Sequence, residues 1–410
     1  MHAIRNSLRR SLRRPVGQLI AQLACTAALL AGCGGGGDAG PSSGGTGAAT
    51  PASSFAAGPI TGFGSIIVNG VRFDDSAAVV TDDEGGASSK DLLRLGMTAT
   101  VKGGAISDDG TGARARASEI SFGAAVVGPV SVVNAAAKNL VVLGQTVLVL
   151  DTTVIDARLV GGFAGIAVGS VLEVHGTLDA TTRSITATRL EPTVAVAGYK
   201  LRGIVAGLDT TAKTFTIGSA LISYAGVTAV PANLANGLLL RVRLQTAQVA
   251  GAWVATRLGD ARPRVADADE AHLEGSITAF TSSAAFSVNG IPVDATNARF
   301  PNGTAGIVLG AQVEVEGSSA NGIVVARSVA IEDHEARHAE GFELHGAITA
   351  LDATAKTFVL RAITVSYAAA GIEYRKGTEA QLAVGVQLEV RGMLSADGTH
   401  LQARRISFGD

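Results

Sequence analysis

One glycine-bounded segment recurs along the 410-residue chain, and this repetition constrains the fold more than any other feature. In residues 382–392 it consists of a short turn, Gly385, an alternation of apolar and polar residues, and Gly392. In one copy Leu244 replaces the second glycine. Alternation with a period of two predicts strands, and similarity at long intervals predicts a tandem array. The other copies of the segment lie at residues 93–103, 166–176, 234–244 and 307–317.

Each copy also has an opening glycine and an early hairpin. The hairpin is predicted where a polar turn separates two alternating runs, as in residues 209–217 and 352–360. Phe215 and Phe358 follow their opening glycines by 12 residues, and we interpret them, with Leu140 and Phe286, as core side chains. The opening glycines are Gly62, Gly128, Gly203, Gly275 and Gly346, which are 66 to 75 residues apart. Intervals of this size are typical of small domains.

Five short strands are predicted in each copy: the opener, the hairpin return, a middle strand, the glycine-bounded strand and a closer. A sheet of five short strands removes its edges best by closing on itself. The sequence therefore predicts an all-β chain, a tandem array of about five small OB-like five-stranded β-barrel domains. A small sandwich or an open barrel is the alternative.

The predicted domain organisation follows the repeats and the changes in composition between them. The five β repeats are preceded by a signal peptide and a tether rich in glycine and serine, and two charged linkers separate the last three repeats. The boundaries are 1–32 for the signal peptide, 33–57 for the tether, 58–123, 124–192, 197–260, 271–332 and 341–410 for the repeats, and 261–270 and 333–340 for the linkers.

The amino-terminal residues predict export and lipid anchoring. Five arginines precede a short apolar run, which ends in Leu30, Ala31, Gly32 and Cys33. This tetrapeptide resembles a bacterial lipobox, so Cys33 is the predicted lipidation site and membrane lipid its partner. Since Gly34 rather than aspartate follows the cysteine, the resemblance to lipoproteins of Gram-negative bacteria implies an outer-membrane lipoprotein of the cell envelope, facing the periplasm or the surface.

Copy one carries a family resemblance. Residues 58–73 run from Gly58-Pro59-Ile60 to Phe73, and residues 92–103 contain the glycine-bounded strand. Together they resemble the bacterial family called domain of unknown function 5666. The resemblance extends over residues 58–409, is strongest in copies one, two and five, and is weakest in copy three. It implies an exported protein or lipoprotein with tandem repeats, and it brings no activity.

Composition argues against a nucleic-acid partner. The signal holds five of the 33 basic residues and none of the 35 acidic ones, so 28 basic residues face 35 acidic residues in the mature chain. Nucleic-acid binding needs clustered lysine and arginine for phosphates, and often aromatic rings for bases. Aromatic residues are only 4% of this chain.

The second linker contains a His-Glu-x-x-His motif, which is formed by His334, Glu335 and His338. On a helix such residues share a face and can bind zinc. A third histidine of the metzincin pattern belongs at position 344, whereas His345 is one residue too far. We therefore interpret the motif as a solvated linker, and we name His334, His338 and His345 only as weak metal candidates. No catalytic residue, cofactor or enzymatic activity is predicted.

Three functional hypotheses remain open from the sequence. The first is a binding or scaffold protein of the envelope, with an envelope protein or a glycan as partner. The second is an array of carbohydrate- or oligomer-binding modules that use barrel faces near Trp253, Tyr224 and Tyr367. The third, a remote alternative, is a zinc metallopeptidase using the linker motif. The acidic run at residues 82–84 is interpreted as a solvated loop tip.

Overall fold

The computed structural model describes residues 52–108, 110, 112–193, 196–332 and 341–409. These residues form 28 strands and three short 3₁₀ turns, so the all-β prediction is confirmed. Among them, no helical segment has the length and apolarity needed to cross a bilayer.

The strands fall into five groups that follow the repeats, which we call barrels 1 to 5. Barrel 1 contains β1 (Ser53–Phe63), β2 (Ile66–Val68), β3 (Val71–Asp74), β4 (Val79–Asp82), β5 (Thr98–Gly104), β6 (Ser107–Asp108) and β7 (Ala113–Phe122). Barrel 2 contains β8 (Val126–Asn134), β9 (Asn139–Val142), β10 (Gln145–Ile155), β11 (Val171–Leu178) and β12 (Ile185–Pro192). Barrel 3 contains β13 (Tyr199–Asp209), β14 (Thr214–Ile217), β15 (Ala220–Ser223), β16 (Leu239–Val249) and β17 (Ala252–Asp260).

The last two groups have the same plan. Barrel 4 contains β18 (Ala268–Ser282), β19 (Ala285–Val288), β20 (Ile291–Asp294), β21 (Gln312–Ala320) and β22 (Ile323–Ile331). Barrel 5 contains β23 (Phe342–Asp352), β24 (Thr357–Leu360), β25 (Ile363–Ser366), β26 (Glu373–Arg375), β27 (Gln387–Leu394) and β28 (Leu401–Phe408). The 3₁₀ turns are Lys90–Leu92, Gly162–Gly165 and Glu379–Gln381.

The five principal strands of each group close into a barrel with one strand order. In barrel 2, β8 pairs with β9 and β9 with β10 in antiparallel fashion, and β10 then pairs in parallel with β12. Antiparallel pairs of β12 with β11 and of β11 with β8 complete the ring. Since this first-second-third-fifth-fourth order is found in all five barrels, the closed OB-like prediction is confirmed.

The first glycine of the repeated segment forms a turn. All five such glycines have φ between +80° and +92°, a left-handed conformation that side chains disfavour. In barrel 2 the N–H of Gly169 donates to the carbonyl of Val130, and the N–H of Val130 donates to Ser170, each over 2.8 Å. The matching bonds in barrel 1 use Ile60, so its opening glycine is Gly58. The alignment on Gly62 was wrong. The five turn glycines are Gly96, Gly169, Gly237, Gly310 and Gly385.

The second glycine lies where two strands approach closely. The register between the fourth and fifth strands shifts at this residue, as at Gly317 in barrel 4. A Cβ added there would overlap the carbonyl oxygen of Val325, so only glycine fits without movement of the backbone. Barrel 3 has Leu244 instead, and β16 contains a further shift between Leu244 and Gln248. Leu244 itself is buried in the core of barrel 3.

The predicted core side chains are buried. Phe215, Phe358 and Leu140 are at most 1% exposed, and Phe286 is 5% exposed. Each lies on the second strand of its barrel and points to the interior because strand side chains alternate between two faces. These predictions are confirmed.

The barrels are joined by main-chain pairing of their opening strands. β1 pairs in parallel with β18 and with β23, and β8 pairs with β13. Phe55 and Ala57 of β1 pack into the core of barrel 4, whereas Ala56 and Ile60 pack into the core of barrel 1. Barrels 1 and 4 are therefore not structurally independent, since one strand contributes to both cores.

Two predicted boundaries shift because of this pairing. β1 begins at Ser53, inside the interval 33–57 predicted as a tether. Pairing with β5 and β18 satisfies the backbone of these residues and buries Phe55. β18 begins at Ala268, inside the interval 261–270 predicted as a linker, because its first residues pair with β21.

Candidate binding site

A groove rich in arginine lies between barrels 1, 3 and 4. Its floor is the outer face of β16 and β17, and barrel 1 contributes the loop between β4 and β5. The turns of barrel 4 near Gly290 and Asn321 form the remaining wall, and the groove has a volume of about 630 Å³. We call it the arginine groove. Its charged lining residues are Arg241, Arg243, Arg257, Arg262, Arg264, Asp83, Glu84 and Asp260.

The alternation of β16 places two of these arginines on the same face. Leu240 and Val242 are fully buried in barrel 3, so Arg241 and Arg243 point outward. At the position of Arg241 the other repeats have threonine or glutamate, and only this copy has two arginines in the segment. The copy that departs from the glycine pattern at Leu244 is thus also the copy with this charge pattern.

An acidic loop of barrel 1 docks against these arginines. Asp83 lies 2.6 Å from the Lys200 ammonium and 3.2 Å from the Arg241 guanidinium. Glu84 accepts from Nε of Arg243 over 2.6 Å and from Nη1 of Arg257 over 3.2 Å. The Asp83 and Glu84 side chains are only 21% and 13% exposed. The prediction of a solvated acidic loop tip is therefore wrong for these two residues, because four cations of barrel 3 neutralise them.

The groove keeps an excess of positive charge after this pairing. Five arginines face three carboxylates in its lining. Asp260 pairs with Arg262 over 2.5 Å, and Arg264 makes no hydrogen bond or ion pair with any residue that the structure describes. Nε of Arg241 is buried without a hydrogen-bond partner among the described residues.

A further guanidinium lies behind the groove. Arg202 donates from Nη2 to the carbonyl of Asn289 over 2.7 Å, while its Nε is buried and has no acceptor in the described part of the chain. Burial, and secondly the charge of Arg241, lower the pKa of Arg202 to about 10. Burial likewise lowers the pKa of Lys200, against the opposing effect of Asp83. The charged forms of Lys200 and Arg202 are therefore destabilised by their surroundings.

The sequence model of one family matches three regions of the chain, residues 127–191, 274–330 and 345–407. The family is described as a domain of unknown function, DUF5666. Three regions of the chain thus match DUF5666 in tandem. The three matches lie within barrels 2, 4 and 5. Barrels 1 and 3 lie outside them, yet they close with the same strand order. No curated protein matches the chain.

Barrels 1, 2, 4 and 5 surround a second cavity of about 790 Å³. Glu343 lies in its lining and has three charged or titratable partners. It pairs with Arg72, lies 2.5 Å from Nε2 of His345, and pairs with Arg391 over 2.9 Å. Burial would raise the pKa of Glu343, but the hydrogen bond from His345 and the charges of Arg72 and Arg391 lower it overall. This network joins barrels 1 and 5.

His345, a weak metal candidate from the sequence, belongs to this network. With Glu343 and Glu389 it forms a group whose potential ligand atoms lie within 4.8 Å of one another. Nη1 of Arg72 lies 2.8 Å from the same ring nitrogen, Nε2, that faces Glu343. A guanidinium at this distance already balances the carboxylate charge and opposes a cation, so the geometry favours an ion-pair network. Cys33, His334 and His338 lie outside the described residues.

A comparable group lies in barrel 2 around a buried histidine. Glu173, His175 and Glu191 present ligand atoms within 4.8 Å, and His175 is fully buried. Glu191 also lies 2.8 Å from the guanidinium of Arg189, which pairs with Asp156 as well. The positive charge of Arg189 takes the place that a metal ion would have in such a group.

The aromatic residues of the carbohydrate hypothesis do not form a platform. Tyr224 and Tyr367 are each 4% exposed and pack on Phe215 and Phe358 in their barrel cores. Trp253 is half-buried with its ring edge against Tyr199, at a centroid distance of 5.5 Å. The rings of Tyr224 and Tyr367 themselves are therefore not accessible to a sugar.

Proposed function

We propose that this protein is a non-enzymatic binding or scaffold protein of the bacterial cell envelope, anchored by lipid at Cys33. The observation that carries the proposal is the way the barrels are joined. Opening strands pair barrel 1 with barrels 4 and 5 and barrel 2 with barrel 3, and side-chain contacts of Arg189 and Lys200 link barrels 2 and 3 to barrel 1. Barrels joined in this way hold their surfaces in constant relative positions. That is the property a scaffold needs in order to engage partners at several points.

The ion pairs between barrels support a fixed body. Arg72 with Glu343 joins barrels 1 and 5, and Lys200 with Asp83 joins barrels 1 and 3. Nη1 of Arg189 donates over 3.2 Å to the carbonyl of Leu95, which links barrels 2 and 1. Strand pairing and an ion pair both cross the boundary between barrels 1 and 5, and side-chain contacts link barrel 1 to barrels 2 and 3. The proposed localisation in the cell envelope is supported separately by the sequence, in which a basic region, an apolar run and Cys33 follow one another in this order.

Anchoring is tested by fractionating cells of a Gram-negative host that produce the full chain. We expect the protein in the outer-membrane fraction and a Cys33→Ala variant outside it. A Cys33→Ala variant that sediments with the membrane like the unchanged protein would refute lipid anchoring at this residue.

The binding role is tested by photo-cross-linking in the same cells. A photoreactive residue placed at exposed Val160 or Val384 should give discrete adducts with an envelope component. The matched control is a photoreactive residue at buried Val174, which should cross-link only within the chain. Two results together would refute a non-enzymatic binding role. They are the absence of any cross-link to an envelope component from both exposed positions, and turnover of a substrate by the purified protein.

A further inference from the structure

We propose that the arginine groove is a binding site for an oxyanion, a phosphate or carboxylate group carried by a small ligand. The inference deepens the proposed function and rests on it, because it names a ligand class for one face of the scaffold. Nothing in the family assignment suggests it. The charge, the free hydrogen-bond donors and the shape of the groove support it.

The charge of the groove runs against that of the whole protein. The mature chain has 28 basic and 35 acidic residues, yet five arginines face three carboxylates in this lining. Like charges brought together in a concave, partly desolvated space repel one another, and an anion relieves that repulsion. Arg202 behind the groove adds a sixth guanidinium, whose charge is opposed by burial and by the charge of Arg241 and supported by the charges of Asp83 and Asp260.

Free hydrogen-bond donors point to the same ligand. A guanidinium presents five N–H donors in a planar fork that matches the two oxygens of a phosphate or carboxylate. Arg264 has all of its donors unused by the described residues. Its guanidinium lies 3.8 Å from the place where a Cβ of Gly85 would be, so it reaches over the acidic loop of barrel 1. Only one guanidinium nitrogen of Arg257 is committed to Glu84.

A purely structural explanation accounts for part of the cluster. Arg241, Arg243 and Arg257 hold Asp83 and Glu84, and through them they hold barrel 1 to barrel 3. This role does not involve Arg264, which is exposed and lies on the segment between β17 and β18. The two explanations therefore differ in what they predict for Arg264. A structural role predicts no consequence of its replacement, and an oxyanion site predicts weaker binding.

The test is calorimetric titration of the purified mature protein with three probes: inorganic phosphate, pyrophosphate and citrate. We expect saturable binding of at least one probe, weakened by high salt. Arg264→Gln should reduce its affinity about tenfold, since a charge-assisted hydrogen bond to the ligand is lost. Selective binding of the phosphates or of citrate identifies the oxyanion that the groove prefers.

Arg404→Gln is the matched control, because Arg404 is exposed on barrel 5 and also lacks a partner among the described residues. It should bind the probe like the unchanged protein. Both variants should unfold at the same temperature as the unchanged protein without ligand, which shows that neither perturbs the fold. Binding of no probe, or equal affinity of Arg264→Gln and Arg404→Gln, would overturn the oxyanion site. Either result would leave the anchoring and cross-linking tests of the scaffold role unaffected.

Discussion

Replacing the second glycine of a repeat by alanine tests the close strand approach on which each barrel closes. In barrel 4 the added Cβ of Gly317→Ala would overlap the carbonyl oxygen of Val325 and lie 2.9 Å from Cα of Ala326. Both are backbone atoms, so relief requires β22 to move away from β21. Overpacking of this kind costs about 1–3 kcal/mol and occasionally more. We expect a loss of about 3 kcal/mol in the free energy of unfolding, because no flexible side chain can yield.

Two other glycines separate the effect of crowding from that of backbone conformation. Gly322 has φ of +79° and no atom within 4 Å of an added Cβ, so Gly322→Ala should cost only about 1–2 kcal/mol through its left-handed conformation. Gly104 has neither constraint. Gly104→Ala should leave stability unchanged or raise it by about 0.4–1 kcal/mol, since alanine restricts the unfolded chain.

The assay is equilibrium unfolding of the purified mature protein and the three variants in urea. The urea concentration at the unfolding midpoint should be highest for Gly104→Ala, lower for Gly322→Ala and lowest for Gly317→Ala. The dependence of the unfolding free energy on urea concentration should be similar for all three. A Gly317→Ala variant with the same midpoint as Gly104→Ala would show that β21 and β22 do not approach as described. In that case the explanation of the repeated second glycine would be wrong.

Three further predictions concern charges and cores. A double-mutant cycle of unfolding free energies with Glu84→Gln and Arg243→Gln should give a coupling energy of about 0.5–1 kcal/mol. This coupling should decrease in high salt because the pair is partly exposed. A coupling energy of zero would contradict docking of the acidic loop. The pKa of Asp156 is lowered in the folded protein although burial opposes the shift. The ionised carboxylate therefore stabilises the fold above the unfolded pKa, and this stabilisation is lost as pH falls through the folded pKa. Asp156→Asn should therefore flatten the pH dependence of urea unfolding below about pH 4, and an unchanged profile would refute this. Phe215→Ala should lower the unfolding free energy by about 3–5 kcal/mol and Phe215→Leu by much less; equal midpoints of these two variants in urea would argue against a packed core at this position.

The sequence was sufficient to predict the architecture of each barrel. Strand alternation, the turn glycine and core residues such as Phe215 and Phe358 are local signals, and neighbouring segments of the chain pair with one another inside a barrel. The opening glycine of copy one was misplaced because Gly58 and Gly62 both lie in its opening strand. Only the hydrogen bonds of Ile60 identify the right one.

The arrangement of the barrels and the arginine groove could not be predicted in the same way. Asp83 and Lys200 lie 117 residues apart, and no periodicity of the sequence connects them. Two signals were nevertheless present. Arg241 and Arg243 occupy positions where no other copy has two arginines, and residues 55–60 contain no polar side chain. A short run without alternation is typical of a strand that is buried on both faces, which is the environment of Phe55 and Ile60.

The shared strand β1 has a consequence for the order in which the molecule folds. Barrel 1 is synthesised first, but Phe55 and the outer edge of β1 find their partners only when β18 is present, and the bond from Ser53 to Asp269 spans 216 residues. Contacts of such high contact order form slowly, and an unpaired edge with exposed apolar side chains invites aggregation in the interval. A newly made chain therefore keeps this edge of β1 unpaired until barrel 4 has been synthesised, and a chain that ends after barrel 3 keeps it exposed permanently.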